Sequence, residues 1–162
     1  SSTTLFRTYN LFVDGAMQEN ARFPNTGLLK MDGGFNNAIA FTDNDLTQQN
    51  DYWTGANIRF RTWDWEYRTS TVTDYTDKKI TIKDSSTNKL AAGWGYYFDN
   101  KIQELDTLHE WFYDTTKHSL YFMPYVKDVA NQKIEATVFS SAFFITEKIK
   151  KHRDQRFQRK EI

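Results

Sequence analysis

Between residues 56 and 68 the chain alternates so regularly that an extended strand is the only regular structure to suit it. Ile58, Phe60 and Thr62 take even positions, while Arg59, Arg61, Trp63, Trp65 and Tyr67 take odd ones. Strand side chains point alternately to the two faces of a sheet, so the pattern separates two chemically different sets. A helix would scatter the same residues around its circumference. The same rhythm recurs in short runs along the chain. Leu11-Phe12-Val13 leads into Asp14-Gly15, a pair suited to a tight hairpin turn, and a second strand spans 16–23 before Pro24-Asn25 stops it. Residues 71–75 return as 80–83 through Asp77-Lys78. Gly93-Trp94-Gly95-Tyr96-Tyr97-Phe98 is a further β run, and residues 110–113 return as 119–122 through 114–117. Residues 133–138 and 142–145 are the last strand candidates.

These elements predict an all-β chain, an antiparallel β-barrel or sandwich with one or two short helices. The helical candidates are 43–49, where Asp43 or Asp45 can cap free amides, and 101–106. Aromatic residues make up 17% of the chain, yet mean hydropathy is negative, as expected of strands with one apolar and one wetted face. The 162 residues suit one domain over 1–147 followed by a basic tail, 148–162, helical or frayed. That tail holds seven Lys/Arg and two acids, so 14 basic and 19 acidic residues remain in the body out of 21 of each. An acidic body opposes a polyanion, so nucleic acid is not an expected partner, and the tail reads as a solvated end.

Other chemistries leave little trace. No run of 18 apolar residues occurs, so no membrane partner is expected. Cysteine is absent, which removes disulfides and thiolate metal sites, and His109, His118 and His152 lack a ligand spacing. Asp43 and Asp45 fit calcium less well than they fit a cap. Neither a phosphate-cradling glycine motif nor a Gly-x-Ser-x-Gly elbow is present, so no cofactor is expected. Carboxylate pairs such as Asp64 with Glu66, or Glu110 with Asp106, can be drawn from any chain with 21 acids and carry little weight.

Three segments together resemble a known family. "LFVDGAMQENARFPN" (11–25), "WTGANIRFRTWDWEYRTSTV" (53–72) and "GYYFDNKIQELDTLHEWFYDTTKHSLYFMP" (95–124) are similar, in order and spacing, to the insertion domain of glycoside hydrolase family 141 and its right-handed β-helix relatives. The likeness covers residues 9–147. It implies a small antiparallel β domain standing beside a parallel β-helix, in a bacterial protein that is secreted, periplasmic or at the cell surface. In that family the β-helix bears the catalytic carboxylates, so no catalytic residue is carried over and this chain is expected not to be an enzyme alone. The turn 114–118 departs from the Pro- and Gly-containing turn of the relatives. Residues 142–145 resemble the entry to a β-helix coil, but Ile/Val-rich coils do not follow; the implied partner is thus a β-helix domain outside this sequence.

The odd face of residues 56–68 remains the candidate site. Trp63, Trp65 and Tyr67 can stack on sugar rings, and Arg59 and Arg61 can hold hydroxyls or uronate carboxylates, which makes polysaccharide the expected ligand. Tryptophan is mostly buried in folded proteins, so packing in a core is the first expectation for these rings. A sugar platform is the second, and contact with the β-helix the third.

Overall fold

A computed structural model describes residues 10–34, 39–84, 90–125 and 129–137. These form two sheets. The smaller runs β12 (Ser119–Phe122), β11 (Glu110–Asp114), β2 (Ala16–Asn20), β1 (Leu11–Val13) and β13 (Ile134–Ala136) in spatial order. The larger runs β3 (Arg22–Phe23), β10 (Gly95–Asp99), β7 (Asn57–Trp63), β8 (Glu66–Thr76), β9 (Lys79–Ile82), β6 (Ala40–Thr42) and β5 (Gly33–Gly34), with β4 (Leu29–Lys30) also paired to β10. The all-β expectation holds, with one departure: β11 runs parallel to β2.

Curvature of the larger sheet comes from β8. Its eleven residues pair first with β7 and then with β9, and the β9 register slips between Val72 and Asp74. An extra residue on one strand bends it and raises the local twist, which curls this sheet into a half-barrel. Its concave face holds the core: Phe41, Trp53, Ile58, Phe60, Val72, Tyr75, Ile80, Tyr96 and Phe98 are almost wholly buried. Trp53 stacks on Phe98 with ring centroids 4.0 Å apart, and Tyr96 meets Phe98 edge-on at 5.3 Å. Gly34 has no room for a side chain, because an added Cβ would lie 1.7 Å from the Leu90 carbonyl oxygen.

The strand predicted over 16–23 is broken at Ala21. That fully buried residue donates its N–H to the Trp111 carbonyl at 2.8 Å and accepts from Asn100 N–H at 3.2 Å. The chain therefore leaves the smaller sheet as β2 and enters the larger one as β3 within a single residue, and the two sheets diverge from this corner. The turns at Asp14-Gly15 and Asp77-Lys78 are as expected, all four residues having positive φ.

Two helices expected from sequence are not present as such. Residues 43–49 form turns: Asp43 Oδ1 accepts Asp45 N–H at 2.9 Å, while Oδ2 accepts the Tyr96 hydroxyl at 2.5 Å. Its carboxylate caps a turn with one oxygen and closes the core with the other. Over 101–106 the helix shrinks to a 3-10 turn at Ile102–Glu104, because the Glu104 side chain folds inward to the Tyr52 hydroxyl, 2.5 Å away. Residues 142–145 and the tail 148–162 lie outside the described residues.

Candidate functional site

The single strand predicted over 56–68 is in fact a hairpin. β7 ends at Trp63, Asp64 and Trp65 make the turn, and β8 starts at Glu66. Alternation survives because Thr62 is an extra residue: Arg61 pairs with Tyr67, and the register then slips before Trp63 pairs with Glu66. Ile58, Phe60 and Thr62 point into the core, and Arg59, Arg61 and Trp63 point outward. Trp65 and Tyr67 belong to the turn and the returning strand, so the five predicted residues come together across two strands rather than along one.

The aromatic residues of the hairpin are not core. Trp65 is 81% exposed, Tyr67 55% and Trp63 44%. The two indoles meet edge-to-face, centroids 6.0 Å apart and planes at 74°. They form a corner rather than a flat row. Arg61 fixes it: Nε donates to the Trp63 carbonyl at 2.9 Å and Nη2 to the Asp64 carbonyl at 2.7 Å, with the Asp64 carboxylate at 3.2 Å. An arginine stitched to backbone holds a turn more firmly than a mobile surface ion pair does.

Farther back along the outer face of β7 lies a cleft of about 310 Å³ between the two sheets. Asn57, Arg59, Tyr97 and Asp99 form the larger-sheet wall; Glu19, Asn20 and Trp111 line the other side, and Arg22 sits at the corner made by Ala21. Arg59 Nε donates to Asp99 Oδ2 at 2.6 Å, and Asn57 Nδ2 donates to Asp99 Oδ1 at 3.0 Å. Burial opposes the charge of Arg59, but the hydrogen bond and charge of Asp99 outweigh it and raise the guanidinium pKa. The Arg22 guanidinium lies 4.0 Å over the Tyr97 ring, and burial pushes the Tyr97 hydroxyl pKa up.

Sequence reasoning missed this cleft. That Tyr97 faces away from buried Tyr96 and Phe98 is legible in the alternation of β10. That Tyr97 stands opposite Arg59 depends on a strand pairing between segments almost forty residues apart, which no local signal encodes.

The carboxylates proposed for acid–base work are tied up elsewhere. Asp64 is held by Arg61; Glu66 accepts from the Thr62 hydroxyl and from Arg68 at 3.0 Å. Glu110 is buried and accepts three backbone N–H groups, from Arg22, Asp106 and Thr107. Burial pushes the Glu110 and Glu104 carboxyls up, while those bonds pull Glu110 back. Asp106 Oδ1 accepts from Asn25 and Thr107. Glu66 and Glu110 have the partners of structural carboxylates, while the Asp64 side chain stands 79% exposed beside Arg61. No group of three or more His, Asp or Glu able to hold a metal occurs among the described residues.

No protein-family model and no curated protein matches this chain. A solved structure named "Glycoside hydrolase" superposes with a TM-score of 0.59 at 13% identity, covering 80% of this chain and 26% of that one. At that identity the likeness is one of fold: this chain has the fold of about a quarter of a glycoside hydrolase's length.

Proposed function

We propose that the chain is a non-catalytic accessory domain of a secreted, periplasmic or cell-surface carbohydrate-active protein, and that it touches glycan through Trp63, Trp65, Tyr67 and the arginines behind them. One observation carries the reading: three large rings stand in solvent at the tip of a hairpin whose turn is pinned by Arg61. Exposing them forgoes about 1.5–3 kcal/mol of burial per large apolar side chain, a cost with no structural return. The fold shared with part of a glycoside hydrolase supports the carbohydrate context, and a β-helix partner domain is what the resemblance of 9–147 to a family 141 insertion implies. Indole planes at 74° suit a single bent chain better than the flat face of a crystalline polysaccharide.

Affinity electrophoresis of the purified chain through gels holding soluble plant and host polysaccharides tests this. Retardation on one glycan that disappears in folded Trp63→Ala and Trp65→Ala variants supports the reading. Equal mobility on every glycan contradicts glycan contact and leaves a supporting role beside the β-helix.

A further inference from the structure

The cleft between the sheets is chemically unlike the aromatic corner. We infer that it is a subsite for one uncharged sugar ring of the same glycan, an inference that rests on the glycan-binding reading above.

Its charge balance is the first reason. Arg22 and Arg59 face Glu19 and Asp99, so the formal charges cancel, and both pairs are formed, at 3.5 and 2.6 Å. An acidic sugar finds no net field here, and it meets Glu19, whose side chain is 59% exposed.

Unspent hydrogen-bonding capacity is the second. Asn10, Asn20, Asn57 and Asn100 all line the cleft. Within the protein, Asn57 uses its Nδ2 on Asp99 and Asn20 uses its Oδ1 on the Asn100 N–H. Asn57 Oδ1 and Asn20 Nδ2 thus stay available as one acceptor and one donor, the combination that sugar hydroxyls answer because each both donates and accepts. Arg59 is aimed by the bond from its Nε to Asp99, which leaves its two terminal nitrogens for the cleft. The charges of the cleft are therefore balanced, and beside them neutral donors and acceptors remain in mixed array.

Size and place agree. About 310 Å³ lies at the small end of ligand sites, enough for a ring but not a long chain. Arg59 and Trp63 share the outer face of β7 four residues apart, about 13 Å at strand rise, so one short glycan can reach both.

The test is a titration of the 15N-labelled 162-residue chain with neutral xylo- and galacto-oligosaccharides and, separately, with oligogalacturonate. A neutral sugar is expected to shift the Asn20 and Asn57 side-chain amide signals and the Arg59 Nε signal saturably. Asn57→Ala should then weaken binding about tenfold, the scale of one or two hydrogen bonds. Asn20→Asp keeps the acceptor for the Asn100 N–H and removes the Nδ2 donor, so it serves as the cleft variant should Asn57→Ala fail to fold; unchanged affinity in the folded cleft variant overturns the inference. Tighter binding of oligogalacturonate at the cleft overturns it as well. Shifts confined to Trp63, Trp65 and Tyr67 overturn it while the glycan-binding reading stands; no shift at either place with any of these sugars overturns both.

Discussion

Two aromatic clusters in this molecule use the same residue types for opposite ends. Inside the half-barrel, Trp53, Tyr96 and Phe98 are wholly enclosed, with Trp53 and Phe98 stacked almost parallel at 11°. At the hairpin tip, Trp63, Trp65 and Tyr67 stand in water with their indoles crossed. Composition does not separate them. Position does: Tyr96 and Phe98 lie on the inward register of β10, whereas Trp63 and Tyr67 lie on the outward register of β7 and β8. The bulge at Thr62 keeps Tyr67 opposite Arg61, and so keeps the outer set together across the turn. Where rings are a core, edge contacts and stacks fill space. Where they are a surface, an arginine spends its donors to hold the backbone beneath them.

The sharpest way to break this contrast is to delete one ring from each cluster. Phe98→Ala is expected to cost about 3–5 kcal/mol in urea denaturation, through lost burial and an unfilled cavity. Trp65→Ala is expected to stay within about 0.5 kcal/mol of the parent, as surface substitutions do. Comparable losses in both would mean that the hairpin rings support the fold after all.

Polar closure of the core sharpens the same contrast. Tyr96→Phe removes the hydroxyl that donates to Asp43, a residue 1% exposed. Stranding that carboxylate should cost about 1–3 kcal/mol, while Tyr67→Phe at the tip should leave the denaturation midpoint where it was.

A pH series probes the loop that joins β10 to β11. The buried carboxyls of Glu104 and Glu110 have folded-state pKa values above the ordinary 4.5, chiefly because burial penalises their charge. The folded state therefore holds these protons more tightly than the unfolded chain does. The stability they contribute is full below the unfolded value and is lost as pH rises through the folded one. Thermal melts from pH ~4 to ~7 should show the midpoint falling over that interval. Glu104→Gln, which keeps an acceptor for Tyr52, should flatten the slope; an unchanged slope would assign it to other groups.

A smaller effect belongs to Arg61. Arg61→Ala removes two bonds to the turn carbonyls and an exposed ion pair with Asp64, so it should cost about 1 kcal/mol. Its consequence should appear instead in weaker retardation on the bound glycan, as the turn loosens and the indoles lose their fixed crossing.

Local pattern carried most of the fold. The hairpin around Asp14-Gly15 was legible because positive-φ turns have strong residue preferences, and the one around Asp77-Lys78 because β runs flank it on both sides. The hairpin at Asp64-Trp65 was not. Its turn residues match no such preference, and the bulge at Thr62 preserves the odd-even rhythm straight through it, so two strands read as one. Residues 43–49 read as helical because Asp43 is a good cap, but its second oxygen is claimed by Tyr96 from over fifty residues away. For the site, Arg59, Arg61, Trp63, Trp65 and Tyr67 were legible as a set. Their exposure and the cleft behind them depend on the pairing of β7 with β10 and on the corner at Ala21.

One measurement bears most directly on the central claim that the hairpin rings serve binding and not folding. A Trp63→Ala/Trp65→Ala double variant is compared with the parent chain for both melting temperature and mobility through a gel containing the glycan that retards the parent. The prediction is an unchanged melting temperature with retardation abolished. Retained retardation, or a melting temperature lowered as far as by Phe98→Ala, would contradict it.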